Sequence, residues 1–111
     1  MPPRRPMRTG WSLYDDEEDG RVKERCEQAR VSDTNLAADI LDPWGNKVSL
    51  QAFSTDGIHY DGHYRYAQPA EDCPPGTASF ERSTDASGDV FIGTWQDNQG
   101  RTGRWKIKIE A

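Results

Sequence analysis

The residues best suited to chemistry lie in one short stretch, Asp56 to Tyr66, which reads DGIHYDGHYRY and contains both histidines of the chain. His59 and His63 flank Asp61 at intervals of two residues. Imidazole nitrogens and carboxylate oxygens are common zinc ligands, and a carboxylate near an imidazole raises the pKa of that imidazole. The pattern raises two hypotheses: a metal or hydrolytic site, or the polar side of a β-strand.

The backbone path through this stretch decides which side chains share a face. Asp61-Gly62 is a favoured two-residue hairpin turn, but a turn there would split the tyrosines between the two faces. An unbroken strand gathers Ile58 and the tyrosines on one face. We therefore predict an unbroken strand with one outward polar row, which consists of His59, Asp61, His63 and Arg65.

The strand geometry argues against a metal site. His59 and His63 lie four residues apart, which is about 13 Å along a strand. A zinc–nitrogen bond is only about 2.1 Å long, so both imidazoles reach one ion only if the strand bends at Gly62. We expect an exposed polar row that serves as a contact surface, with no metal and no cofactor.

Other catalytic signatures are missing or incomplete. The sequence has no nucleophile elbow, no P-loop and no dinucleotide-binding fingerprint. The stretch STDASGD lacks the regular oxygen ligands and the final Glu of a calcium loop, so we predict a turn there. Cys73 follows Glu71 and Asp72, whose negative charges raise the pKa of the thiol and make it a poor nucleophile. We expect that the protein is not an enzyme.

Length, composition and charge narrow the classes of partner. A chain of 111 residues fits one domain. Leu, Ile, Val and Phe number only 16, and four Trp and four Tyr add apolar area. Residues 33–111 hold seven bases and twelve acids, which accounts for the net charge of −5. Because an acidic domain repels phosphate backbones, we expect no nucleic-acid partner.

The sequence also bears on compartment. No apolar run approaches the roughly 20 residues of a membrane span, so we expect no membrane association. No apolar stretch follows Arg4, Arg5 and Arg8, so a secretory signal is not apparent and we expect a cytoplasmic protein. Cys26 and Cys73 form either one disulfide in an exported protein or two thiols in the cytosol, and the missing signal favours thiols.

The elements that must position the polar row change character along the chain. Residues 1–20 run from PPRRPMR to the acid run DDEEDG and are predicted to be a flexible tail, in which WSLY offers a short strand. Val22, Cys26 and Ala29 fall at i, i+4 and i+7, which predicts a short helix over residues 21–32. Residues 35–111 alternate between polar and apolar side chains, which predicts six strands.

The strand pattern predicts the fold class. NLAADIL and KVSLQAF flank the turn DPWGN, which indicates a hairpin, and RWKIKIE alternates cleanly. Strands about every 8–14 residues, with no helix between them, are typical of antiparallel sheets. We predict a mainly β domain over residues 21–111, an antiparallel immunoglobulin-like sandwich, with a small closed barrel as the alternative.

Two stretches carry a resemblance to known families. ADILDPWGNKVSLQAFSTDG and GRTGRWKIKIEA resemble bacterial immunoglobulin-like domains of the macroglobulin and invasin type, over residues 35–111 at most. The matching positions are Asp42, Pro43, Gly45 and Asn46 in the turn, and Gly103 and Trp105 at the start of the last strand. The stretch from Gly93 to Trp105 also looks like small lipocalin-like barrels. The first resemblance implies an adhesion or structural module.

These observations give a functional expectation. We expect a non-catalytic module that binds a protein partner through a sheet face or edge, using Trp44 and the row His59, Asp61, His63 and Arg65. Trp44 lies in a predicted turn, where a large aromatic side chain is unusual, and it either folds back over the core or stays exposed. The alternative is a small-ligand or carbohydrate-binding module that uses Trp44 and the tyrosines.

Overall fold

Eight strands form one closed antiparallel barrel. The structure, a computed structural model, describes residues 7–16, 20–67 and 74–111. Each strand pairs with its neighbours in chain order, and the first strand also pairs with the last. The strands are β1 (Arg8–Asp16), β2 (Gly20–Val31), β3 (Asn35–Leu41), β4 (Lys47–Phe53), β5 (His59–Tyr66), β6 (Gly76–Asp85), β7 (Gly88–Asp97) and β8 (Thr102–Glu110).

The predicted immunoglobulin-like sandwich is wrong, and the closed-barrel alternative is confirmed. Closure depends on the pairing of β1 with β8, which runs from Gly10 opposite Ile109 to Tyr14 opposite Trp105. Residues before position 33, where the sequence predicts a tail with a short strand at WSLY and then a helix, supply β1 and β2 and widen the sheet to eight strands. Eight strands are enough to close a barrel that side chains can fill.

The predicted helix over residues 21–32 is also wrong, because this segment belongs to β2. Val22, Cys26 and Ala29 do face the core, but Glu24 faces it as well. The pairing with β3 shifts between Cys26 and Gln28, so a bulge moves Ala29 to the inner side. A bulged strand therefore reproduced the spacing of a helix. The described part of the chain has no helix that could cross a membrane.

The segment predicted to be a flexible tail contains β1. Residues 8–16 pair with β2 and residues 10–14 also pair with β8, whereas residues 1–6 and 17–19 lie outside the described residues. β1 turns Gly10 and Ser12 inward and Trp11 and Leu13 outward. Tyr14, two residues after Ser12, packs partly against the core.

Aromatic side chains fill much of the barrel interior. Tyr60 meets Phe91 edge to face at 5.2 Å, and Tyr64 meets Trp105 in the same way at 5.4 Å between ring centroids. Such pairs add roughly 0.5–1.5 kcal/mol each beyond the burial of their area.

Cys26 is a buried free thiol, and burial raises its pKa to about 11; Cys73 lies outside the described residues.

An ion-pair network covers one end of the barrel. The buried Asp89 accepts hydrogen bonds from Arg82 Nε at 2.8 Å and from Thr84, and it pairs with Arg8 Nη1 at 2.8 Å. Arg82 Nη1 also donates to the Tyr60 hydroxyl at 3.1 Å. Burial opposes ionisation of Asp89, but the hydrogen bonds from Thr84 and Arg82 prevail and lower its pKa. The network ties β1, β5, β6 and β7 together.

Gly10 is expected to be essential for closure. A Cβ atom at this position would lie 1.8 Å from the carbonyl oxygen of Lys108 on β8. Gly10→Ala should therefore push β1 and β8 apart and lower the free energy of unfolding by about 2–3 kcal/mol in urea titrations. Thr9→Ala, at the exposed neighbouring position, is the control and should change it by less than about 0.5 kcal/mol. Equal stability of the two variants would contradict the close pairing of β1 with β8.

Candidate functional site

The polar row predicted from the histidine stretch lies on the outer face of β5. The strand runs unbroken from His59 to Tyr66, and its pairings with β4 and β6 continue in register through Gly62, so the unbroken strand is confirmed. All four members of the row are exposed: His59, Asp61, His63 and Arg65. Ile58 departs from the prediction, because its side chain is exposed rather than inward.

The row does not converge on one point. His59 Nδ1 lies 2.7 Å from Asp56 Oδ2, and this hydrogen bond and the charge of Asp56 raise the pKa of His59. Asp61 instead accepts a hydrogen bond from Ser79 Oγ at 2.6 Å. His63 lies opposite residues of β4 and β6. Within residues 7–16, 20–67 and 74–111, no group of three His, Cys, Asp or Glu side chains is placed to hold a metal ion.

Trp44 lies in the turn between β3 and β4 and is 61% exposed. Asp42 fixes this turn, because its Oδ1 accepts hydrogen bonds from the backbone N–H of Trp44 at 2.9 Å and of Asn46 at 2.7 Å. The indole does not cover the core. The strand order places this turn at the opposite end of the barrel from His59, so the structure does not bring Trp44 and His59 together.

The tyrosines expected near Trp44 belong to the barrel interior. Tyr60 and Tyr64 are buried, Tyr66 packs partly against the core, and Trp95 is also buried. Their rings face inward because β5 and β7 alternate. They form no exposed aromatic platform with Trp44.

A different surface, on the outer side of β2, β1 and β8, concentrates positive charge. Cross-strand register aligns three rows, with β1 in the middle of each. We call this surface the cation face, and its nine residues are Arg25, Trp11 and Lys108; Lys23, Leu13 and Lys106; and Arg21, Asp15 and Arg104. Six cations thus flank a central strand that carries two apolar side chains and one carboxylate.

Strand alternation explains why the cations gather there. In β2 the inward positions hold Val22, Glu24 and Cys26, so the basic residues between them point outward. In β8 the inward positions hold large apolar side chains, which leaves the three basic residues outside. In β1 the outward positions instead carry Trp11 and Leu13. Barrel closure then places the two basic columns on either side of this apolar centre.

Within the residues that the structure describes, three cations of the cation face have no acidic partner. Asp15 pairs with Arg104 at 2.8 Å and with Arg21 at 3.5 Å. The Lys108 amine donates to the Ser87 hydroxyl at 2.6 Å and lies 3.9 Å from the carboxylate of Asp85. The amine nitrogens of Lys23 and Lys106 instead lie 5.7 and 5.8 Å from the centroid of the Trp11 ring. Among the described residues, no carboxylate forms an ion pair with Lys23, Arg25 or Lys106.

A buried hydrogen-bond chain supports the same three strands from inside. Ser12 Oγ donates to Glu24 Oε1 at 2.7 Å and accepts from Trp105 Nε1 at 3.0 Å. Burial raises the pKa of Glu24 to about 7, although the hydrogen bond from Ser12 lowers it, and the charge of Asp42 raises it further. The Ser12 hydroxyl therefore links β1 to β8 and to β2, and the chain ends on a carboxyl group whose raised pKa lies near neutral pH.

Sequence reasoning missed the cation face. The alternation of RWKIKIE predicts a strand with its basic residues on one face, but it does not show which strand lies beside them. RVKER was assigned to a helix, and nothing local shows that β1 lies between these two segments. The signal that could have found the cation face is that basic residues occupy alternate positions in both RVKER and RWKIKIE.

The raised pKa of Glu24 predicts a loss of stability with rising pH. An unfolded glutamate ionises above its ordinary value of 4.5, whereas Glu24 in the folded protein stays protonated up to about 7. Stability should therefore fall between these values, by up to about 3 kcal/mol. Glu24→Gln keeps the shape of the side chain and removes this loss, so its advantage over the wild type should grow from pH 5 to pH 8 in urea unfolding.

Glu110→Gln, at an exposed position of β8, is the control and should keep a constant offset from the wild type between pH 5 and pH 8. An offset between Glu24→Gln and the wild type that stays constant from pH 5 to pH 8 would contradict the buried, protonated Glu24.

The cation face is assigned from its geometry and charge. It combines three cations that have no described acidic partner with a tryptophan and a leucine on the strand between them. No protein-family model matches the sequence, and curated proteins give no significant match.

Proposed function

We propose that this protein is a non-catalytic interaction module that binds an acidic segment of a partner protein through the cation face. The observation that supports the proposal is the register of β2, β1 and β8, which sets two basic columns on either side of Trp11 and Leu13. The partner is a protein, as the sequence predicts, but the proposed contact surface is the cation face and not the row on β5.

Charge distribution favours an acidic partner. The cation face carries six bases and one acid in a chain whose net charge is −5, so the rest of the chain is acidic, with a net charge of −10. Complementary charge raises association rates and fixes orientation, and the effect weakens as salt is added. An acidic segment is attracted to this face and repelled by the rest of the molecule, which sets its docking position.

The same distribution favours a protein over a nucleic acid. The three aligned rows span only a few residues along each strand. A phosphate backbone that extends beyond them meets the acidic remainder of the surface, where each added phosphate is repelled. A protein segment can present a short acidic run and then change composition.

The apolar centre supplies the second part of the interface. Trp11 and Leu13 are half-buried by their neighbours, so each still offers a surface to a partner. Tryptophan and arginine are the residues most enriched at the energetic centres of interfaces. The surface is small for a stable complex, because three strands span only about 14 Å, and we expect weak, reversible binding.

Closure of the barrel restricts the binding mode to a face. Each of the eight described strands pairs on both sides, so none offers a free edge for a partner strand. The His59–Asp56 pair lies on an exposed turn rather than in a cleft, which is consistent with a non-catalytic module.

A small-ligand or carbohydrate site at Trp44 is a second candidate. The supporting observation is that the indole is exposed on a turn that Asp42 holds in place. The tyrosines of the barrel do not take part, because they are buried or packed against the core. This candidate therefore rests on one aromatic side chain.

Charge reversal tests the proposed function. The Lys23→Glu/Lys106→Glu variant should bind a fluorescein-labelled peptide of twelve glutamates at least about tenfold more weakly than the wild type, because attraction becomes repulsion. Fluorescence anisotropy at low salt gives the Kd, and added salt should weaken wild-type binding. The control is Lys47→Glu/Arg65→Glu, which makes the same change in charge on exposed positions of β4 and β5. Equal weakening by both variants would count against a specific face.

Trp44→Ala separates the two candidates. Because the side chain is exposed, we expect the free energy of unfolding to change by less than about 0.5 kcal/mol and the binding of glutamate peptide to stay the same. Saccharides that quench wild-type tryptophan fluorescence but not that of Trp44→Ala would favour the second candidate. A large loss of stability would show that Trp44 is part of the folded core.

A further inference from the structure

Resting on the proposed function, we infer that the cation face selects an extended run of consecutive acidic residues that lies along β1 and sends its carboxylates alternately to β2 and to β8. The observation behind this is the arrangement of the cations in two parallel columns with an apolar strip between them.

The spacing of the columns follows from sheet geometry. Successive cations in a column are two residues apart, as Lys23 and Arg25 are in β2, which is about 6.6–6.8 Å. The columns belong to the two strands on either side of β1, so they stand two strand spacings apart, or about 9.5 Å. An anionic ligand therefore meets two lines of charge rather than one point.

An extended peptide matches this arrangement. Its side chains alternate between two sides, and residues on the same side repeat at the same distance of about 6.6–6.8 Å. Acids at positions i and i+2 can reach Arg25 and Lys23, while the acid at i+1 points to Lys106 on the other side. Three consecutive acids thus engage the three cations that have no described acidic partner.

A helical acidic segment fits less well. An α-helix rises about 1.5 Å per residue and brings residues i and i+4 to one face, about 6 Å apart. Such a single line of carboxylates can follow one column but leaves the other column without a partner. The surface therefore distinguishes extended from helical segments by its width.

The middle and one end of the site set the position of the peptide. Trp11 and Leu13 lie beneath the peptide backbone and contact the methylene groups of its side chains. At one end Asp15 already pairs with Arg21 and Arg104, so that row keeps only one net positive charge and offers less to a further acid. We expect a run of three or four acids to reach most of the attainable affinity.

Three peptides with four glutamates each test the inference. One carries them consecutively, one alternates them with glycine, and one places them at every fourth position in an alanine background that favours a helix. Anisotropy titrations with the wild-type protein should rank the consecutive peptide first, at least about fivefold tighter than either of the other two. Amide and indole shifts in NMR spectra should map the bound peptide to β2, β1 and β8, including the indole N–H of Trp11.

Lys106→Ala identifies the contribution of the second column. Loss of this cation should reduce the preference for the consecutive peptide over the alternating one to less than about twofold, and Lys106→Arg should restore it. If the helical peptide binds as tightly as the consecutive one, or if Lys106→Ala leaves the preference unchanged, the inferred geometry is wrong.

The outcomes separate this inference from the proposed function. Equal binding of all three peptides, lost in Lys23→Glu/Lys106→Glu, would retain the acidic-partner function and overturn the extended geometry. Binding of none of them would overturn both. Concentration-dependent dimers in sedimentation experiments, lost in the same variant, would identify a second copy as the occupant, since the chain carries its own acid run at residues 15–19. Tighter binding of a short oligothymidylate than of any peptide would also overturn the inference.

Discussion

The antiparallel pairing of β1 with β8 is the constraint on which the rest of the structure depends. It joins residues near opposite ends of the chain, such as Trp11 and Lys108, and it converts a sheet of eight strands into a barrel. Without this pairing, the basic positions of β2 and β8 would lie near opposite edges of an open sheet. With it, they become two columns separated by one strand, and an acidic chain acquires a basic surface.

The same three strands, β2, β1 and β8, carry the buried hydrogen-bond chain on their inner side and the cation face on their outer side. Ser12 connects Glu24 with Trp105 in the interior, and the residues on either side of Ser12 form the apolar centre of the cation face. A buried carboxyl group usually weakens a fold when it ionises, because burial disfavours its charge. The polar chain thus stabilises the strand arrangement while Glu24 is protonated and makes that arrangement sensitive to pH.

Sequence patterns predicted the strands from residue 35 onward, where inward apolar side chains alternate with polar ones. They failed in β2, because Glu24 is charged but faces inward, and because a bulge after Cys26 brings Ala29 inward out of phase. β1 was hard to assign for the opposite reason, since Trp11 and Leu13 point outward. The exposed row on β5 followed from local alternation, whereas the cation face needs pairing between distant segments, which local patterns do not contain.

The measurement that tests the central claim most directly is a set of NMR cross-peaks between the backbones of β1 and β8. The account predicts close backbone contacts between Trp11 and Lys108 and between Leu13 and Lys106, with the same intensity as contacts between β7 and β8. If the contacts between β7 and β8 are present while those between β1 and β8 are missing, the barrel is open. The two basic columns then lie apart, and the cation face does not exist.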